Sequence, residues 1–160
     1  MRGAAIILII IFLAAAVLTG YLYATAQITV TGIDCSAVSA LDQGTGFQAL
    51  KEQIKDGTFT GTAFQTDEIG EPSEYQFYTY SVHLMNATFL RAEVAEIQIT
   101  PMNGDILQTE ETTVRNIPAR SRGSVQATLL TKKDMHSVRE ITVTYYLWGL
   151  PFHLRTTYSR

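Results

Sequence analysis

The chain has 160 residues, of which 46% are apolar and 17% charged, with one cysteine and a net charge of −3. These figures argue against a disordered chain, which is poor in apolar groups and rich in charge, and exclude an internal disulfide scaffold, which needs cysteines in pairs. They give no basic footprint for nucleic acid, and the length suits one ordinary domain with a short appendage.

The appendage comes first. From Ala4 to Tyr23, 18 of 20 residues are apolar, and only Thr19 and Gly20 interrupt the run. No charged residue occurs between Arg2 and Asp34. A helix rising about 1.5 Å per residue would span roughly 30 Å here, the thickness of a bilayer's hydrocarbon core. The segment is therefore read as a single transmembrane helix that meets membrane lipid through residues 4–23. Arg2 and the amino terminus precede it, and the first Lys is Lys51. The positive-inside rule then expects a cytoplasmic N-terminus and an extracytoplasmic remainder, with Tyr21 and Tyr23 at the outer interface. Ala24-Thr25-Ala26 offers a competing reading, cleavage of a signal peptide before Gln27. The apolar core exceeds the ~7–15 residues usual for such peptides, which favours an uncleaved signal-anchor over residues 1–26. Cys35 follows Gly32-Ile33-Asp34, too far past the apolar block to serve as a lipidated residue.

Beyond this segment the apolar share falls to about 40%, and threonine, which suits half-solvated strands, is abundant. The pattern becomes one of alternation. Strands are expected over 27–33, with Ile28 and Val30 on one face, and over 58–65, with Phe59 and Phe64 inward. Longer ones are expected over 75–86, with Tyr78, Tyr80, Val82 and Leu84 on one face, and over 93–100, with Ala95, Ile97 and Ile99 inward. Residues 105–108, 112–117, 123–130, 140–148 and 152–158 complete the set. One helix is predicted over 45–55, where Phe47, Leu50 and Ile54 share a face, stopped by Gly57. It is expected to close one end of the domain. Asn103-Gly104 reads as a hairpin turn with both residues at positive φ, and the stretch from Trp148 to Pro151 as a break between the last two strands. Short strands at this spacing indicate an antiparallel β-sandwich. The expected organisation is an anchor (1–26), a lead-in strand with a short amphipathic helix (27–57), and the sandwich (58–160).

Residues 80–130 add a resemblance. Val82-His83-Leu84-Met85-Asn86 ends a strand on Asn. Ala92-Glu93-Val94 enters the next strand, Pro101 and Gly104-Asp105-Ile106-Leu107 follow, and Asn116-Ile117-Pro118-Ala119 precedes Val125–Leu130. This succession resembles exported Ig-like modules of the late-embryogenesis-abundant WHy kind and of the FxLYD kind. The resemblance implies an Ig-like sandwich that serves binding, spacing or protection and has no shared catalytic residues. The chain departs from the pattern in lacking the Pro-rich dipeptides after the Asn and the Leu-Tyr-Asp triplet.

Chemistry-bearing residues are few. The histidines, His83, His136 and His153, form no metal-ligand motif. His83 and His153 fall on strands and could meet in space around a metal. Asp67, Glu68, Glu71 and Glu74 form an acidic loop whose spacing is not that of an EF-hand. Cys35 is read as a core thiol on the first strand, with an intermolecular disulfide as the alternative. Arg115, Arg120 and Arg122 flank one loop and Lys132-Lys133 the next; adjacent in space, they could attract anionic polymers or lipid head groups. Tyr146 and Trp148 share the outer face of a strand, either covered by the lead-in segment or exposed as a platform. Asn86-Ala87-Thr88 is a glycosylation sequon. No nucleophile elbow, phosphate-binding loop or dinucleotide fingerprint is present.

The sequence thus predicts no enzyme and no cofactor. It predicts a single-pass membrane protein whose extracytoplasmic Ig-like sandwich binds a protein partner or cell-envelope ligand, with Tyr146, Trp148, Arg120 and Arg122 as the candidate surface. The alternatives are a subunit of a larger membrane assembly, with small residues Ala14, Ala15, Ala16 and Gly20 on the helix, and a cell-envelope hydrolase or metal-dependent enzyme.

Overall fold

The computed structural model describes residues 2–25, 27–65, 69–109, 115–133 and 138–159. The apolar run forms α1 (Arg2–Thr25), about 36 Å long at the usual rise. Its apolar stretch has a mean hydropathy of 2.8, and none of it is buried in the protein. The two threonine hydroxyls inside it are satisfied by the helix itself: Thr19 Oγ1 donates to the Ala15 carbonyl at 2.8 Å and Thr25 Oγ1 to the Tyr21 carbonyl at 2.9 Å. No polar group of these side chains would then face lipid unpaired. The helix is long and apolar enough to cross a membrane.

The alternating segments become strands β1 (Ile28–Ser39), β2 (Gly61–Ala63), β3 (Tyr75–Asn86), β4 (Ala92–Ile99), β5 (Asp105–Thr109), β6 (Arg115–Ile117), β7 (Ser121–Lys132), β8 (Val138–Leu147) and β9 (Leu150–Ser159). They form two antiparallel sheets, one ordered β1-β3-β7-β5-β2 and the other β6-β4-β8-β9. Period-two alternation puts Tyr78, Tyr80, Val82 and Leu84 of β3 inside, against Ile97 and Ile99 of β4 and Ile141, Val143, Tyr145 and Leu147 of β8. Each such side chain contributes roughly 1.5–3 kcal/mol by leaving water, and their joint burial holds the sheets face to face.

β1 outruns its predicted length because a bulge resets it. The register with β3 slips between Val30 and Gly32. The inward positions therefore change parity, from Ile28 and Val30 to Ile33 and Cys35, and all four pack on the main core. Ile28, Ala40 and Phe47 are buried with residues of the later strands, so residues 27–57 and 58–160 share cores.

The predicted helix is α2 (Gly44–Lys55). Gly57, at φ +67°, ends it: its N–H reaches the Ile54 carbonyl and that of Thr58 the Gln53 carbonyl, which is the Schellman arrangement. The helix does not cap an end of the sandwich. Phe47 packs with Tyr75, Phe77, Leu107 and Leu130 in a second cluster, on the face of the five-stranded sheet opposite Tyr78 and Tyr80. Tyr75 and Phe77 alternate with the inward set, and that alternation leaves an apolar outer face for α2 to cover.

Two turns differ from expectation. Asn103-Gly104 joins β4 to β5, which lie in different sheets, so it makes a corner and not a hairpin. Of the two, only Gly104 takes a positive φ, 95°, as a type II turn requires and a type I′ turn forbids. Asp105 holds the corner: its Oδ2 accepts the Met102 N–H at 2.7 Å. The true two-residue hairpin is Trp148-Gly149, with φ of 54° and 73°, flanked by the pair Leu147↔Leu150. Leu150 and Pro151 already belong to β9, an edge strand that tolerates a residue without a donor.

The corner also tethers the sheets. Among the described residues, β6 pairs with β4 at Ala92 and Ala95, and the same edge of β4 runs on to Ile97–Ile99 with no described strand beside it. Gln108 of β5 takes that place, accepting the Ile99 N–H at 2.9 Å and donating to the Ile97 carbonyl at 3.0 Å. Gln108→Ala removes both partners from buried backbone groups and is expected to cost about 2 kcal/mol, read as a lowered midpoint with unchanged slope in urea unfolding of the full chain in detergent.

Candidate functional site

Residues of interest gather at the end of the sandwich nearest α1. Only two residues separate Thr25 from Ile28, a reach of about 10 Å. Three aromatic rings bridge the junction. Tyr23 lies 5.3 Å from Phe152, Phe152 stacks on Tyr145 at 5.6 Å, and the Tyr145 hydroxyl accepts the Ile28 N–H at 3.3 Å. An open hollow of about 340 Å³ at this seam is lined by Tyr23, Ala24, Phe152 and His153, among others.

Strand register brings three connections to the same end. Ile28 pairs with Asn86, and Asn86 with Ser121. Ala92 pairs with Ile117, and Glu93 with Tyr146 next to the 148–149 turn. The loops 87–91 and 118–120 and the β8–β9 turn therefore form one rim. Asn86, fully buried, ties the loops together. Its Nδ2 donates to the carbonyls of Leu90 (2.7 Å), Ile117 (3.1 Å) and Pro118 (3.1 Å), and its Oδ1 accepts the Thr88 N–H at 3.0 Å. Arg120 adds a backbone bond to the Thr88 carbonyl. This burial leaves the sequon asparagine no accessible amide for a glycan.

The rim is apolar and cationic outside. Phe89, Trp148 and Leu150 are 56%, 46% and 48% exposed, and Arg91, Arg120 and Arg122 are exposed at the same end, as is Glu93. Among the described residues, the non-glycine residues with positive φ are Val94 (50°), Arg120 (54°) and Trp148 (54°), all at this end. Such conformations cost on the order of 1–3 kcal/mol each and concentrate at functional sites. Trp148 occupies a turn position that favours Asn or Gly. Trp148→Asn is therefore expected to stabilise the chain in detergent by about 1 kcal/mol, read as a higher urea midpoint.

The structure sorts the sequence-derived candidates. It brings Arg120, Arg122 and Trp148 to one rim and places Tyr146 half-buried on the adjoining sheet face. The lead-in segment does not cover Trp148, because α2 packs on the other sheet. Lys132 pairs with Tyr75, at the opposite end of β7 and some 35 Å from Ser121 at strand spacing, so the lysines and arginines form no common patch. His83 and His153 do not meet. His83 alternates with inward Val82 and Leu84, and His153 with Phe152 and Leu154, so they face outward from different sheets. His83 Nε2 lies 2.8 Å from Asp34 Oδ2, and His153 Nδ1 lies 3.0 Å from Thr144 Oγ1. Cys35 is half-buried against the main core. Glu71 and Glu74 flank a short 3₁₀ turn, while Asp67, Glu68 and His136 lie outside the described residues. Among the described residues no three His, Cys, Asp or Glu side chains gather as a cation site requires.

One polar cluster escaped the sequence reading. Arg139 of β8 and Asp105 of β5, both fully buried, form a bidentate pair at 2.7 and 2.8 Å. Beside them, burial pushes the Tyr80 hydroxyl well above the usual phenol range; Cys35 adds to the effect and Arg139 opposes it. Tyr80 is thus a neutral core hydroxyl at physiological pH.

The chain is an N-terminal apolar helix carried into a two-sheet antiparallel β domain. No family model and no curated protein matches it. Solved structures offer distant likenesses. The Northeast Structural Genomics Consortium target SoR45 has a TM-score of 0.43 at 11% identity, covering 83% of this chain and 86% of its own. A protein from Archaeoglobus fulgidus gives 0.36 at 6%, covering 82% and 98%. A FixG-related protein from Vibrio parahaemolyticus gives 0.33 at 10%, covering 52% and 78%. Likenesses this distant carry no argument about the chain.

Proposed function

We propose that the chain is a single-pass membrane protein whose Ig-like sandwich stands on the extracytoplasmic side as a binding or structural module, without enzymatic activity. The observation that carries this reading is the junction: α1 passes to β1 across two residues and its last tyrosine packs on Phe152. A domain joined this tightly is held at the membrane surface. The outward orientation is supported by Arg2 before the helix and the absence of Lys or Arg until Lys51. An Ig-like module is supported by the strand pattern from Tyr80 to Leu130 and by two sheets closed over one core. The side chains with the strongest chemistry, Arg139, Asp105 and Asn86, are all spent on holding the fold.

The test is topological. Alkaline phosphatase fused to the C-terminus is expected to be active and a green fluorescent protein fusion dark; the reverse pattern would overturn the orientation. Carbonate-washed membranes are expected to retain the chain at full mass, and loss of residues 1–26 would overturn the anchor.

A further inference from the structure

Resting on the reading of α1 as a membrane anchor, we propose that the rim of the sandwich nearest the helix is itself a lipid-docking surface. In it Trp148, Leu150 and Phe89 enter the boundary between headgroups and acyl chains, and Arg91, Arg120 and Arg122 pair with lipid phosphates.

Position argues first. The rim cannot lie far from the bilayer, because about 10 Å of chain joins helix to strand. β8 runs toward α1, and its turn continues past the Tyr145–Phe152 pair, the level at which Tyr23 packs. Three further residues carry the tip about 10 Å beyond that contact, away from the body of the domain and toward the membrane.

Chemistry argues second. Tryptophan has an apolar body and a donor edge, which suit it to the headgroup level. The chain's only Trp is at this tip, half-exposed, with Leu150 beside it and Phe89 on the neighbouring loop. Among the described residues, the same end carries three exposed arginines and one exposed carboxylate, Glu93. Guanidinium groups match phosphate oxygens in pairs, and anionic lipid attracts cations placed this close to its surface.

Strain argues third. Val94, Arg120 and Trp148 hold positive φ at this end. Two of them present docking side chains from conformations that local preference would give to Asn or Gly.

The single tryptophan makes the test direct. The full chain is reconstituted into phosphatidylcholine vesicles with and without 30 mol% phosphatidylglycerol (about one lipid in three, enough to charge the surface), and co-flotation reports insertion of α1. Trp148 emission is expected to be blue-shifted, protected from aqueous iodide, and quenched by lipids brominated high on the acyl chain more than by those brominated near its end. Arg120→Gln with Arg122→Gln should still float but lose about half or more of the protection that phosphatidylglycerol adds, because each arginine supplies part of the surface attraction. Phe89→Trp in a Trp148→Asn background moves the probe to the neighbouring loop and should give the same depth. A chain that floats while Trp148 stays solvated and iodide-accessible overturns the docking surface and leaves the anchor standing. A chain that fails to float overturns the anchor. Protection in native membranes but not in lipid vesicles overturns the lipid assignment in favour of a protein partner.

Discussion

Asp105→Ala is expected to cost roughly 3–5 kcal/mol, because it leaves the Arg139 charge buried without its partner. Both side chains are fully buried, and each carboxylate oxygen accepts one guanidinium nitrogen, at 2.7 and 2.8 Å. The same carboxylate holds the Met102 N–H at the inter-sheet corner, so its loss also loosens the passage from β4 to β5. Neither effect depends on the membrane, and urea unfolding of the full chain in detergent should report both as one lowered midpoint. Arg139→Met alone strands the carboxylate and is expected to be nearly as costly. The pair Asp105→Leu with Arg139→Met removes both charges and should recover most of the loss, since an apolar pair of similar volume avoids the desolvation that the ion pair must offset. Additive losses in the double variant would show that the two residues stabilise the fold separately and that the bidentate pair contributes little.

Arg139 also shows where sequence reading stops. It has the parity of Ile141, Val143, Tyr145 and Leu147, all inward, so alternation already places a guanidinium inside. What alternation does not supply is a partner, because Asp105 lies on the other sheet and only the tertiary arrangement brings it there. The same division holds elsewhere. The limits of β3 and the Gly57 helix stop were legible, since local periodicity and backbone preference decide both. The Asn103-Gly104 turn was misread because a dipeptide preference describes an isolated hairpin. A buried Asp next to the glycine favours a corner between sheets. Trp148-Gly149 was read as a break because an aromatic residue at positive φ has no local support, and the pairing of Leu147 with Leu150 imposes it. The histidines were separated by face parity across two sheets, which no spacing along the chain reveals. The rim was legible only in part, through Trp148, Arg120 and Arg122, for a related reason. Phe89, Arg91, Arg120 and Trp148 come from three connections, and only the pairing of Asn86 with Ile28 and Ser121 puts them at one end.

That pairing leads to the second large effect. Asn86→Asp preserves the shape of the side chain and its Oδ1 acceptor, and replaces the Nδ2 donor with a second acceptor. The new oxygen would sit 2.7–3.1 Å from the carbonyls of Leu90, Ile117 and Pro118, where it repels what the amide attracted. Each buried group left unsatisfied costs on the order of 1–3 kcal/mol, and a carboxylate enclosed among carbonyls must take up a proton or displace the loops. A loss of about 3 kcal/mol or more is expected by urea unfolding, with faster amide exchange in residues 87–91 and 118–120 than in β8. Thr88→Val removes a hydroxyl that donates to Asn86 Oδ1 at 2.7 Å and accepts the Leu90 N–H at 3.2 Å, and is expected to cost about 1–2 kcal/mol. A carboxylate tolerated within about 0.5 kcal/mol, the spread of ordinary surface substitutions, would mean that Asn86 does not clamp the loops. The clamp matters beyond stability because the chain segments it fastens carry Phe89, Arg91 and Arg120. A rim that must present apolar and cationic side chains at one depth needs its loops held to the strands that leave the anchor, and Asn86, paired with the first residue of β1, is the group placed to do so.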